Sequence, residues 1–363
     1  MTWNGRPVRA WVPDLLGGQN FEVGVRAARR TEQAGAAVRA SDGATSGFEP
    51  LALLLLRTEG VASSYIEGLR TPLADVAAAE VGGAANTTAA WVADNLTAVR
   101  YALDGAGRDL AIDDFHAWHR RLMGSTGRLP PEMVGTFRTG QSWIGGTSPH
   151  SASFVPPPPD RVVDLMVDLV GFVNGESVDP ITQAAVAHAQ FETIHPYGDG
   201  NGRIGRILIG WILAHRLRVA VPPPVSAFIA RDPGGYLAGM TRFRLGELDP
   251  WVEWLAAELQ HASEATQSLL VRSQRLLAEW GQRIDDLRAD ATARLVLPYL
   301  VEHPVVSSDL VASRFSVSER AARGALALLA DREILEPYEM AVAGPGRPRH
   351  FWVATELVAV ATD

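Results

Sequence analysis

The stretch His195-Pro196-Tyr197-Gly198-Asp199-Gly200-Asn201-Gly202-Arg203-Ile204-Gly205-Arg206 puts a base, a carboxylate, glycines and two guanidinium groups within twelve residues. An imidazole with an ordinary pKa of about 6.5 suits proton abstraction near neutral pH. The glycines let the backbone turn tightly and come close to a ligand. The flanking segments read as helices, so the turn opens a helix with unpaired N–H groups and the positive end of its dipole. That is an anion site. Arg203 and Arg206, three apart, lie on neighbouring faces of the first turns and can reach the same phosphates with rigid forks of donors. Asp199 would repel such a ligand unless a cation lies between them, and Mg²⁺ bridges carboxylates and phosphates. The implied chemistry is attack at a nucleotide phosphate with His195 as general base, help typically worth ~10²–10⁴-fold in rate.

The stretch resembles the Fic family, whose pattern is His-x-Phe-x-(Asp/Glu)-Gly-Asn-Gly-Arg-x-x-Arg. Only Tyr197 departs from it, standing where the family has Phe. Tyr can serve as that apolar anchor if its hydroxyl finds a partner. The wider similarity covers roughly residues 48–260. The resemblance implies a protein adenylyltransferase using ATP and Mg²⁺. His195 would deprotonate a Ser, Thr or Tyr hydroxyl of a target protein, whose oxygen attacks the α-phosphorus and expels pyrophosphate. Asp199 would hold Mg²⁺, Gly200, Asn201, Gly202 and Arg203 would cradle the phosphates, and Arg206 would take the γ-phosphate. Tyr236 falls where similar proteins carry a Tyr pair near the adenine; Leu237 replaces the second ring, and core packing is the other reading. Two further functions stay open: a nucleotide-sensing DNA-binding regulator, and a hydrolase that removes AMP at the same site with Glu67 orienting water.

Ser63-Ser64-Tyr65-Ile66-Glu67-Gly68 resembles the family's inhibitory motif, (Ser/Thr)-x-x-x-Glu-(Gly/Asn). Ser63 and Glu67 are the inhibitory residues it implies. Glu67 could pair with Arg206 and compete with the γ-phosphate. A plain helix end capped by Gly68 is the alternative. Thr139, Gly140, Gln141, Ser142, Trp143 and Ile144 resemble the target-docking flap, read as a short strand with Gly145-Gly146 as its turn. Such an edge can pair with an extended target segment. Phe154-Val155-Pro156-Pro157-Pro158 matches the family's proline run after the flap. His116 and His119 have metal-binding helical spacing, but no matching carboxylate pair accompanies them, so they read as core or surface residues. His188, Trp251 and Trp254 read as packing.

The elements that must position these groups are mainly helical. Apolar residues recur at helical spacing over 48–69, 87–105, 113–123, 160–174 and 181–194. A charged helix near 257–287 reads as a connector. The expected fold is a Fic helical core with a short β-hairpin flap and a C-terminal winged helix-turn-helix, the last from its order of three helices and a hairpin. The expected divisions are an N-terminal helical region at 1–107, a catalytic core at 108–260, a connector at 261–289 and a winged helix at 290–363. Arg320 and Arg323 on the third helix of that unit, with Arg347 and Arg349 in its wing, could meet DNA phosphates. Asp331, Glu333, Glu336 and Glu339 dilute that charge, so a protein-contact role stands beside it.

The chain has 363 residues, enough for two or three domains. Its net charge of -8 argues against a chain-wide nucleic-acid or membrane coat. All 33 basic residues are Arg and there is no Cys, which excludes disulfides, thiolate catalysis and Cys-ligated zinc. The N-terminus lacks an apolar signal-peptide core and no apolar run approaches a bilayer's thickness. A cytoplasmic protein with no membrane contact is expected. A homodimer is a further expectation, because such relatives often dimerise.

Overall fold

The computed structural model describes residues 2–82, 87–339 and 350–362. It is mostly helical. After a small hairpin, β1 (Thr2–Trp3) and β2 (Arg6–Pro7), come α1 (Val25–Thr45), α2 (Pro50–Ile66), α3 (Leu73–Gly82), α4 (Thr88–Asp104) and α5 (Ile112–Met123). Then follow α6 (Val162–Val173), α7 (Pro180–Ile194), α8 (Asn201–Leu217), α9 (Ser226–Ile229), α10 (Pro233–Arg244) and α11 (Leu248–Arg283). The last part comprises α12 (Thr292–Glu302), β3 (Val305–Ser307), α13 (Ser308–Phe315), α14 (Glu319–Asp331), β4 (Glu336–Tyr338), β5 (Phe351–Val353) and α15 (Thr355–Thr362).

Helix α7 is the centre of the larger core. Asp179 caps it by accepting from the N–H groups of Ile181 and Thr182, and Pro180 opens its first turn. Ala184, Ala185, Ala187 and Ala189 keep it thin, and nearly every side chain on it is buried. Neighbours α1, α6, α8, α10 and α11 therefore pack around it, burying Gln183, His188 and Gln190 along with its apolar residues.

Helix α11 joins two cores. Trp251, Leu255 and Leu259 lie in the core around α7, while Leu269, Leu276 and Trp280 lie in a second core with α12 to α15. This stripe repeats at three and four residues along 36 residues, so one helix of about 54 Å serves both units. Residues 260 and 261 both lie inside it. Its observed bounds, 248–283, start earlier than the connector read from charge alone.

The C-terminal unit has the element order helix, strand, two helices, two strands, helix, with an antiparallel sheet ordered β3-β5-β4. Ser307 and Ser318 cap α13 and α14. The β4–β5 connection, with Arg347 and Arg349, lies outside the described residues. The unit docks on α2 and α3. Phe351 packs against Gly82, where a Cβ would come within 2.5 Å of the ring. Buried Arg57 on α2 meets Glu80 at 2.5 Å and donates to the Glu302 carbonyl at the end of α12.

The expected strand over 139–144 is not formed. Only Ile144 pairs, in a single antiparallel bridge with Phe154. The reason lies in side chains that take the local carbonyls. Gln141 donates to Ser142 and Pro156, and Arg138 donates to Gly140 and Pro157. Gly145 and Gly146 do turn with positive φ, at 71° and 70°.

Candidate active site

The loop between α7 and α8 is built by its own side chains. His195 ends α7 in the left-handed region, φ 51° and ψ 60°, with its N–H donating to the Phe191 carbonyl at 2.8 Å. A non-glycine residue there costs of order 1–2 kcal/mol. Arg138 offsets that cost. Its Nε donates to the His195 carbonyl at 2.8 Å and its Nη2 to Pro157 at 2.6 Å, while its own N–H donates to Pro196. A guanidinium at the carbonyl end of a helix is also favourable to the dipole. Asn201 closes the loop. Its Oδ1 accepts from the Tyr197 N–H at 2.8 Å and its Nδ2 donates to the Tyr197 carbonyl at 2.9 Å. Gly200 then enters α8 at φ 81°.

Tyr197 fills the apolar anchor position with no exposed surface. Its ring stacks on His119 at 4.0 Å and its hydroxyl meets His116 Nδ1 at 3.1 Å. The hydroxyl thus has the partner that a buried Tyr needs. His119 Nδ1 accepts from the Gly135 N–H at 2.8 Å, which leaves Nε2–H to donate to the Asp199 carbonyl at 3.1 Å. Burial holds this imidazole down to about 4. It is therefore a neutral strut under the loop. No cluster of metal-ligating side chains occurs among the described residues.

The charged groups converge on the start of α8. Arg203 is buried, 3.7 Å from the Asp199 carboxylate, and its Nε and Nη1 have no hydrogen-bond partner among the described residues. Asp199 stays partly open to solvent, beside Arg128 at 3.3 Å. Arg206 is buried and held by α2: Nε donates to Ser63 Oγ at 2.9 Å, and Nη2 donates to the Ser63 carbonyl and to Glu67 Oε1, both at 2.8 Å. The same Glu67 oxygen lies where a Cβ on Gly202 would be, 2.1 Å away. Burial alone would push the Glu67 carboxyl up; the charge and hydrogen bond of Arg206, with Arg203 and His195, hold it below the usual range.

The His195 imidazole is mostly buried. Desolvation and the Arg138 charge lower it to about 4, against the opposing pull of Glu67. Its Nδ1 lies 3.9 Å from Glu192 Oε2, too far for a hydrogen bond. Glu192, one turn earlier on α7, is pushed up to about 8 by burial. It fits because Gly205 has no side chain; a Cβ there would come within 2.4 Å of Glu192 Oε1.

Tyr236 lies in the core of this wall, not on an open face. Its hydroxyl meets His188 Nε2 at 2.8 Å and its ring packs among His188, Trp251 and Trp254. Beside the loop, a cleft of 300 Å³ is lined by Met133, Arg138, Gly140, Gln141, Ser142, Trp143 and Gly198. Trp143 at its edge packs edge-on against Trp3 at 5.2 Å. The structure thus brings together His195, Asp199, Gly200, Asn201, Gly202, Arg203, Arg206, Ser63 and Glu67. Arg138, Glu192 and the two loop-supporting histidines were not legible as site residues. The His116/His119 spacing was the one available signal, and it pointed to a helix face rather than to the loop.

Residues 109–213 match the model of the Fic/DOC family. The chain is 34% identical over 151 residues to protein adenylyltransferase fic-1 of Caenorhabditis elegans, covering 41% of this chain and 27% of that one. It is 30% identical over 151 residues to protein adenylyltransferase Fic of Drosophila melanogaster, covering 41% and 28%. The match thus spans little more than a quarter of those curated relatives. A Fic family protein from Desulfovibrio desulfuricans shares the fold over 92% of this chain and 97% of its own, with TM-score 0.57 and 22% identity. The chain carries a domain of the Fic/DOC family.

Proposed function

We propose that this chain transfers AMP from ATP to a hydroxyl of a target protein and that Glu67 restrains the transfer. One observation carries the reading: a base, His195, stands at the entrance of a turn that opens on two buried arginines, Arg203 and Arg206, and a carboxylate from the end of α2, Glu67, already occupies one of them. Carboxylate oxygens on an arginine fork are stand-ins for phosphate oxygens. The naming of the relatives as protein adenylyltransferases agrees with this reading.

In the proposed reaction the target oxygen bonds to the α-phosphorus as the bond to pyrophosphate breaks, and the hydroxyl proton passes to His195. Arg206 takes the γ-phosphate once Glu67 leaves. Arg203 and the N–H groups opening α8 hold charge that builds on the transferring phosphoryl, the main source of catalysis in such steps. Asp199, open to solvent beside the cradle, is a fitting carboxylate for Mg²⁺, which would neutralise phosphate charge. A bound triphosphate places negative charge near His195 and raises its basicity from about 4 towards neutral pH. The cleft beside Gly198 is the proposed seat of the target segment, with Ile144, next in sequence to the cleft's Trp143, as an exposed anchor.

The test is incubation with ATP labelled at the α-phosphate, with and without lysate, for wild type, His195→Ala and Glu67→Gly. Label on protein that depends on His195 and rises in Glu67→Gly supports transfer. Absence of label from all three proteins refutes it.

A further inference from the structure

We propose that Arg128 is a further phosphate-binding residue: it pairs with Asp199 until phosphate oxygens reach the turn, and then turns its guanidinium onto them. The inference rests on the reading of the 195–206 turn as a phosphate cradle. It adds to that cradle a group from outside both the turn and α2.

Arg128 lies on the segment that leaves α5, against the mouth of the turn. Its N–H donates to Thr126 Oγ1 at 3.3 Å, and that hydroxyl donates in turn to the Met123 carbonyl at 2.9 Å. Met123 and Leu129, on either side, pack on the turn's glycines. A Cβ at Gly200 would come within 3.2 Å of Met123 Sδ, and one at Gly198 within 3.4 Å of Leu129 Cδ2. The backbone at 128 is thus held against the loop, whereas the side chain is not. It is 44% exposed, and among the described residues it meets Asp199 at one point, Nε to Oδ2 at 3.3 Å. An exposed one-point pair is weak and easily exchanged.

The contacts of Asp199 show where the guanidinium can go. Its Oδ1 accepts from the Gly200 N–H at 2.6 Å and lies 3.7 Å from Arg203 Nη2, while Oδ2 is the oxygen beside Arg128. Arg128 and Arg203 therefore flank one carboxylate. Arg203 is buried, and its Nε and Nη1 have no partner among the described residues. A buried guanidinium in that state needs an acceptor. An anion that meets Arg203 at the opening of α8 has Arg128 just across Asp199. Carboxylate and phosphate oxygens suit the same donor fork. Phosphate charge arriving here offers Arg128 a stronger acceptor than one carboxylate oxygen, and frees Oδ2 for a cation. The Asp199–Arg128 pair thus stands to one side of the cradle as the Glu67–Arg206 pair stands to the other.

The test is calorimetric titration of the full chain with inorganic tripolyphosphate, without metal, at about 0.15 M salt, where charges beyond a Debye length of ~8 Å are largely screened. The host is Glu67→Gly/Asp199→Asn, in which Glu67 no longer competes and Arg128 has no carboxylate left to neutralise. Tripolyphosphate should bind the host at one site, and adding Arg128→Gln should weaken binding about tenfold or more. Arg128→Lys, which keeps the charge and loses the fork, should recover only part of that loss. In Glu67→Gly with Asp199 intact and Mg²⁺ present, Arg128→Gln should again weaken tripolyphosphate about tenfold. Melting curves check that each variant is folded. If Arg128 serves only to neutralise Asp199, Arg128→Gln leaves the host's affinity unchanged and does not lower affinity in the presence of Mg²⁺. Either result overturns the inference, as does full recovery by lysine. Tripolyphosphate carries no AMP, so these readings do not need transfer. Binding through Arg128 without AMP label on any protein refutes transfer and leaves the inference standing. No binding of tripolyphosphate to the host refutes the cradle and the inference together.

Discussion

Glu67 Oε1 lies 2.8 Å from Arg206 Nη2 and occupies the space that a side chain on Gly202 would need. One carboxylate oxygen therefore meets both Arg206 and the backbone opening of α8. A charge-assisted hydrogen bond of this kind is worth ~1.5–3 kcal/mol. Glu67→Gly should raise the rate of AMP labelling about tenfold or more, with Arg206 still held by Ser63. A rate equal to or below wild type would show that the contact is not a restraint.

Gly202 gives a separate prediction. A methyl group there would collide first with Glu67, a flexible side chain that can move away. Release of Glu67 alone would speed labelling. In the proposed reaction, however, the same methyl would stand where phosphate oxygens approach the backbone. Gly202→Ala should therefore lose labelling, and should also lose it when combined with Glu67→Gly. If Gly202→Ala instead behaves like Glu67→Gly, the phosphates do not use this part of the turn.

The pH profile should be displaced to acid. His195 works as a base only when neutral, so activity falls as pH drops through its pKa. Burial and Arg138 hold that pKa near 4. In the Glu67→Gly protein the opposing pull of Glu67 is gone as well, so the free enzyme's value falls further. The acid limb of kcat/KM, which reports the free enzyme, should lie well below 6.5. The limb of kcat should lie higher, because bound phosphates favour the imidazolium. An acid limb of kcat/KM at 6.5 or above would mean that the base is another group or is far more exposed.

The turn at 195–206 was legible because its determinants are local. Asn201 and Tyr197 bond each other four residues apart, and the glycines lie within the same loop. The grip of Arg138 on His195 spans 57 residues, and no periodicity announces it. The sequence places a short strand over 139–144 ahead of the Gly145-Gly146 turn, but Arg138 and Gln141 take the carbonyls of Gly140 and Pro156. Helix α10 was missed because Gly234-Gly235 follow Pro233; Asp232 caps that helix by accepting from the Gly235 N–H at 2.8 Å. Packing on Trp251, where a Cβ at Gly239 would lie within 2.5 Å of the ring, holds it in place. Tyr236 was placed near a ligand by resemblance, while its burial follows from rings that arrive from α7 and α11.

Glu192 tests how the site is kept folded. Its carboxyl is pushed from 4.5 up to about 8 by burial, despite the nearby Arg206 charge. In the native protein at pH 7 it is protonated, whereas in the unfolded chain it is ionised above pH 4.5. Between those two values the native state binds more protons than the unfolded state, so stability falls as pH rises. Gln has the same shape and cannot ionise. Glu192→Gln should therefore match wild-type stability near pH 4 and exceed it increasingly towards pH 8. Denaturant melts of both proteins at pH 4.5, 6 and 8 would read this directly. A constant difference across the three would mean that Glu192 is already ionised in the folded chain, with its charge carried by Arg206.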